Sequence, residues 1–145
     1  MRILIQRVSS AHVEADGVVC GKIGKGLLVF LGIHKDDTSE TTALLVQKLI
    51  NLRIFKDTDG KMNLALKDVG GAVLVVSQFT LYGNCMGGRR PAFVDSMSGS
   101  GAKELYEKFV SEVKAATGDV QTGQFGADMQ VHLVNDGPVT FLLEL

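Results

Sequence analysis

The chain has no tryptophan, only two prolines and only two cysteines among its 145 residues. Scarce proline leaves few rigid linkers, and the 17 glycines supply tight turns instead. Cys20 and Cys85 lie far apart and form no Cys-x-x-Cys pair, so neither a zinc ribbon nor a dithiol redox motif is supported. The formal net charge is -1, which excludes nucleic-acid binding through bulk charge and leaves only a local patch. No apolar run reaches the roughly 20 residues that span a bilayer. Met1 to Ile5 is too short for a signal peptide, and Gln6-Arg7 ends it. These absences predict a cytoplasmic protein with free thiols and no membrane partner. His12, His34 and His132 are scattered, without His-x-x-x-His or Glu-x-x-His spacing, which predicts no metal site and no cofactor. No P-loop, Gly-x-Gly-x-x-Gly loop or Gly-x-Ser-x-Gly elbow is present.

What is present centres on the stretch from Val73 to Gly83. Val73-Leu74-Val75-Val76 is a continuous apolar run, as a strand buried on both faces requires. The run turns polar at Ser77, Gln78 and Thr80 and stops at Gly83. A buried strand that ends in an amide and two hydroxyls is a place to hold a small polar ligand. It is equally a core strand leaving the core, with its polar groups satisfied by neighbours.

Elsewhere the chain alternates short β-prone runs with two helical patterns. Met1 to Val8 reads as a strand with Ile3, Ile5 and Arg7 in phase. Arg7 there lies either at an exposed strand end or pointed into a site. Asp16-Gly17 between His12–Ala15 and Val18–Ile23 predicts a type I′ hairpin. Leu27 to Ile33 is another doubly buried run. Asp37 with Glu40 predicts a helix start, and the apolar spacing carries the helix to Leu52. Asp57-Thr58-Asp59-Gly60 echoes a calcium loop but lacks its downstream bidentate glutamate, so it reads as a turn. Asn63 to Asp68 is expected to be extended. Asn84 to Ser98 is irregular, with Arg89 and Arg90 beside flexible glycines; paired guanidinium forks suit phosphate. Ser100 is expected to cap a second helix that shows an apolar stripe through Phe109 and Val113 and the pairs Lys103–Glu107 and Glu104–Lys108. Met129 to Asn135 alternates like a half-exposed antiparallel strand, Asn135-Asp136-Gly137-Pro138 turns the chain, and Val139 to Leu145 closes it. Together these predict one α+β domain over residues 1–145, with a curled, barrel-like antiparallel sheet covered by two helices.

A search for catalytic side chains finds little. A Ser77–His132–Asp triad, and with it a serine esterase, can be assembled only on paper. Either the chain is not an enzyme, or its catalysis rests on backbone groups and on the substrate.

Two motifs together resemble the paired signatures of the D-aminoacyl-tRNA deacylases: Ser77-Gln78-Phe79-Thr80 and Asn135-Asp136-Gly137-Pro138-Val139-Thr140. The resemblance runs the full length, through Gln6-Arg7-Val8, the Gly88–Phe93 loop and Thr122-Gly123-x-Phe125-Gly126-Ala127-x-Met129. It implies a homodimer with active sites at the subunit interface, acting on aminoacyl-tRNA. The implied reaction is hydrolysis of the ester between a D-amino acid, or glycine, and the tRNA 3′ end. It implies that Gly137-Pro138 carries a cis peptide bond, enters the partner's pocket and crowds the space an L side chain needs. Ser77, Gln78, Phe79 and Thr80 form the implied catalytic strand end. Backbone N–H groups near Phe79 would stabilise the oxyanion. Thr80 would position the substrate, since no partner base is visible for it. Arg7 would hold the Gly-Pro motif, Met129 would line the pocket, and Arg89 and Arg90 would meet tRNA phosphates. Asn84-Cys85-Met86 departs from the basic character expected of that loop. The alternative on the same fold is a non-catalytic nucleic-acid-binding protein.

Overall fold

The computed structural model describes residues 1–145, and two long antiparallel strands set its framework. Strand β1 (Arg2–Ala15) is a single strand, where the pattern had suggested two pieces; its first half buries Ile3 and Ile5 in the cluster under the helices, and its second half buries Ala11 and Val13 in a separate cluster. Asp16 and Gly17 both take positive φ, 50° and 75°, as a type I′ turn requires. The chain returns as β2 (Val18–Ile23), turns a corner at Gly24-Lys25, and continues as β3 (Gly26–Gly32). β2 pairs with the far half of β1 and β3 with its near half. Along the other edge of β1 runs β8 (Met129–Glu144), antiparallel from Arg2 opposite Glu144 to Ala15 opposite Met129. Asn135 to Pro138 therefore does not reverse the chain, contrary to the expected turn. It forms a wide bulge: β8 advances from Thr140 to Asn135 while β1 advances only from Gln6 to Val8.

Two helices link the remaining strands. α1 (Ser39–Asn51) lies in the connection from β3 to β6 (Ala72–Ser77), and α2 (Gly99–Thr117) in the connection from β6 to β7 (Gln121–Thr122). Each crossover brings the chain back to the same end of the sheet, so β3–β6 and β6–β7 pair in parallel. The sheet is thus mixed, and the expectation of an antiparallel sheet holds only for its β1, β2, β3 and β8 pairings. It curls until β7 meets β2. A Cβ at Gly21 would stand 2.6 Å from the Thr122 carbonyl oxygen, so only glycine lets these backbones close the near-barrel. β4 (Phe55–Lys56) and β5 (Met62–Leu64) form a separate small hairpin, and the expected extension to Asp68 is replaced by a tight helical turn at Lys67–Val69.

The helix caps differ from expectation by one or two residues. Thr38, not Asp37, caps α1 and exchanges side-chain bonds with Thr41. The Asp37 carboxylate is taken instead by the His34 N–H at 2.6 Å. Ser98, not Ser100, is the cap position of α2. Lys103 pairs with Glu107 at 3.7 Å, but Lys108 reaches forward to Glu112 at 2.9 Å rather than back to Glu104.

The apolar runs in β3 and β6 are continuous because both of their faces are covered. Leu27, Val29, Leu31, Val73 and Val75 pack beneath Leu45, Leu49, Phe109 and Val113 of the helices. Leu28, Leu74 and Val76 face the barrel interior with Val8, Ala11, Val13 and Ile23. The histidines are not all dispersed: His12 and His132 stand opposite each other on β1 and β8.

Candidate active site

β6 delivers the polar strand end. Gln78 leaves the strand conformation at φ −146°, ψ 78°, while its N–H stays tied to the Leu31 carbonyl at 2.8 Å. Phe79–Tyr82 then winds into one 3-10 turn. As its first two residues, Phe79 and Thr80 have N–H groups that no backbone carbonyl accepts. Phe79 is 56 % exposed, large for a phenylalanine, and its ring meets Phe93 edge-on with centroids 4.9 Å apart. The Gln78 side-chain amide donates to the Thr80 hydroxyl.

Two cavities meet at this strand end. One, of about 440 Å³, is walled by Ser77, Phe79, Phe93, Met97 and Phe125. The other, of about 290 Å³, shares Ser77, Phe79 and Gly126 with the first and adds Gln78, Asp128 and Met129. The first wall is apolar and aromatic; the second carries an amide and a carboxylate. Such a pairing suits a ligand with one flat apolar part and one polar part.

The supports of this site are identifiable. Tyr106 on α2 donates its hydroxyl to the Val75 carbonyl at 3.1 Å, and burial pushes that phenol up to about 12. The loop carrying Phe93 and Met97 is pinned to the end of β3: the Lys35 N–H bonds the Asp95 carbonyl at 2.9 Å, and the Met97 N–H bonds the Ile33 carbonyl at 2.8 Å. The Lys35 ammonium bonds the Asp95 carboxylate at 2.7 Å, and this hydrogen bond, then the charge, holds the carboxyl below and the amine above their ordinary values.

A second cluster is built at the β8 bulge. Arg7 is mid-strand and 1 % exposed, so it points inward rather than lying at a strand end. Its Nη1 donates to the Ile54 carbonyl at 2.6 Å and its Nε to the Asp136 carbonyl at 3.1 Å; the Asp136 carboxylate is also 3.1 Å away. Asn135 braces the bulge from within, accepting from the Val139 N–H at 2.7 Å and donating to the Thr140 hydroxyl at 3.1 Å. The Gly137–Pro138 peptide is cis, and Gly137 has φ +131°. A Cβ there would stand 2.7 Å from Val139 Cγ2 and 2.9 Å from Arg7 Nη2.

The structure thus brings Ser77, Gln78, Phe79 and Met129 to shared cavity walls. Thr80 is exposed beside them and lines neither cavity. Gly137 and Pro138 are exposed, and they too are absent from both walls of their own chain. Arg89 and Arg90 are exposed on the loop closed by the Asn84–Ala92 pair. Sequence reasoning missed Phe93, Met97 and Phe125 as walls. Phe93 and Phe125 were visible as motif letters, and nothing in the spacing of Met97 marks it. No histidine hydrogen-bonds Ser77 or Thr80, which removes the geometric basis of the paper triad.

Known proteins resemble this chain in sequence and in fold. The sequence model of the D-Tyr-tRNA(Tyr) deacylase family matches residues 4–144. A D-aminoacyl-tRNA deacylase of Thermosipho africanus is 57 % identical over 144 residues, covering 99 % of this chain and 97 % of its own. One from Clostridium botulinum (strain 657 / Type Ba4) is 55 % identical with the same coverage. The solved structure of a c-Myc DNA unwinding element binding protein is 38 % identical and superposes with a TM-score of 0.94, covering 100 % of this chain and 99 % of its own. The structure of a probable eukaryotic D-amino acid tRNA deacylase, 20 % identical, shares the fold with a TM-score of 0.86 and covers 99 % and 98 %. With full-length matches at this identity, the chain belongs to the D-Tyr-tRNA(Tyr) deacylase family.

Proposed function

We propose that this protein hydrolyses the ester joining a D-amino acid, or glycine, to the 3′ end of tRNA, releasing free amino acid and tRNA and refusing the L ester. The observation that carries this reading is the strand end itself. Two unclaimed N–H groups, at Phe79 and Thr80, stand beside a cavity pair with an aromatic wall and a polar wall. The terminal adenosine suits the first wall and the aminoacyl group the second. Water adds to the ester carbonyl, its proton passing toward the neighbouring 2′-hydroxyl. The carbonyl oxygen becomes an oxyanion that the Phe79 and Thr80 N–H groups stabilise, by about 3–4 kcal/mol for a good donor. The C–O bond to the ribose then breaks, and the 3′ oxygen leaves with a proton. An ester of this kind is already activated, so no side-chain nucleophile is needed. Ser77, Gln78 and Thr80 position the substrate, and Met129 closes the polar cavity.

The protein acts as a homodimer in the cytoplasm, where aminoacyl-tRNA is found. Gly137 and Pro138 of one subunit enter the cavity of the other, held by Arg7, and their carbonyls occupy the space of an L side chain. Three features support this: the pair is exposed, it lines no cavity of its own chain, and the unpaired edge of β8 exposes Val134, Phe141 and Leu142. Arg89 and Arg90 contact tRNA phosphates, giving the local patch that a chain of net charge -1 needs. The name of one structural neighbour speaks of DNA binding, but the two D-aminoacyl-tRNA deacylases from bacteria are closer in sequence, so a purely nucleic-acid-binding role is not favoured.

The test is deacylation of matched D- and L-tyrosyl-tRNA. Rapid release of D-tyrosine with the L ester intact is expected; equal rates, or no hydrolysis of either, overturn the proposal. Sedimentation should give about twice the 15.5 kDa of one chain, and a monomer at micromolar concentration overturns the shared site.

A further inference from the structure

Away from the cavities, the outer face of the β1–β8 pair gathers three metal-ligating side chains that are remote in sequence. His12 and His132 are direct cross-strand partners. Their imidazole rings lie parallel within 4°, with centroids 4.4 Å apart. Glu14 follows His12 by the two-residue period, so it projects from the same face of β1. Its Oε1 lies 3.4 Å from His12 Nε2. One ligand atom from each of the three residues falls within 4.8 Å of the other two.

We infer that His12, Glu14 and His132 form a binding site for a divalent transition metal of the zinc class. Two imidazoles and one carboxylate are borderline-to-hard donors that suit zinc, nickel or copper better than calcium or magnesium. Zinc bonds to these atoms are about 2.0–2.2 Å long, which sets tetrahedral donors about 3.3–3.6 Å apart. His12 and Glu14 already satisfy that spacing. The third donor closes by side-chain rotation alone, because directly opposed strand residues hold their Cβ atoms only about 4.5–5.5 Å apart. His132 is exposed, so a water completes the fourth position. Lys22, opposite His12 on β2, is exposed and free to swing away from the ion. A bound ion ties β8 to β1 between Met129, which lines the polar cavity, and the bulge at Asn135.

The test titrates ZnCl2 into protein stripped with chelator, with the exposed thiols of Cys20 and Cys85 alkylated so that they do not compete. Calorimetry should give one zinc per chain, and the melting temperature should rise with zinc because the ion binds only the paired strands. His132→Gln and Glu14→Gln should each weaken binding by about tenfold or more, while His34→Gln leaves it unchanged. Chelator-treated variants should melt with the wild type, showing that loss of binding is not loss of fold. Absence of binding heat overturns the proposal, as does zinc affinity that survives the His12→Gln/His132→Gln double substitution.

Discussion

Arg7 moors the bulge that carries Gly137 and Pro138, and its loss has a calculable effect. Arg7→Met keeps most of the aliphatic stem and removes the guanidinium. The Ile54 carbonyl then loses a 2.6 Å bond at a residue that is 5 % exposed, so water replaces it poorly. Leaving such a buried acceptor unpaired costs about 1–3 kcal/mol. The Asp136 side chain is 51 % exposed, so its ion pair adds only about 0–1 kcal/mol after solvent screening. A total of about 1–4 kcal/mol corresponds to a melting shift of about 3–13 °C for a domain of this size. Arg7→Lys offers a single point of donors and reaches one carbonyl but not both, so it should melt between the two. The assay is thermal unfolding by circular dichroism at fixed protein concentration, which matters because a dimer's melting temperature depends on it. It is paired with deacylation of D- and L-tyrosyl-tRNA well below the melting range. An unmoored bulge should raise the ratio of L to D rates. Variants that melt with the wild type and still refuse the L ester would refute the assigned role.

Gly137→Ala should be worse than a usual glycine substitution, since φ +131° and contacts at 2.7 and 2.9 Å leave no room for a Cβ; a large fall in melting temperature or in D/L discrimination is expected, and wild-type behaviour in both would contradict it. Tyr82 and Tyr106, the chain's only tyrosines, are both pushed up to about 12 by burial, with the charges of Asp37 and Glu144 adding at Tyr82. The unfolded phenols ionise near 10, so stability falls as pH rises from 10 toward 12, and absorbance at 295 nm should stay flat past pH 10 until the protein unfolds. Single-turnover hydrolysis should survive at least one of Ser77→Ala and Thr80→Ala, with no acyl-enzyme trapped by rapid quench; a trapped ester on either hydroxyl would replace the backbone mechanism.

Much of this architecture was legible because hydrophobic pattern reports covering layers. Val73 to Val76 reads as a strand buried on both faces, and it is one, with helices over one side and the barrel interior behind the other. Asp16-Gly17 carries its turn type in its own chemistry. What was not legible depends on pairing. Arg7 in phase with Ile3 and Ile5 reads first as an exposed strand end, with an inward site as the other option; only the continuation of β1 to Ala15 resolves it. Asn135-Asp136-Gly137-Pro138 has the composition of a chain reversal, and the ladder with β1 on both sides of it makes it a bulge instead. The same pairing brings His132 to His12 across 120 positions, a distance at which spacing rules for metal ligands say nothing. Parallel pairing of β3 with β6 was hidden for a related reason, since it follows from where the helices cross over.

The bulge also has an arithmetic of its own. Between the pairs Gln6–Thr140 and Ala11–Leu133, β1 advances five residues and β8 seven. The surplus is even, so the side-chain alternation of β8 is in phase before and after it: Met129, Val131 and Leu133 are half-buried against the barrel interior, and Val139 and Leu143 are the least exposed residues beyond the bulge. Removing two residues would keep that parity and shorten the tip. Removing one would invert every side chain from Val139 to Glu144 and drive Thr140 and Leu142 inward while Val139 turned to solvent. The tip that bears Gly137 and Pro138 is therefore free to change length only in steps of two, and the ladder enforces that step whatever chemistry the tip performs.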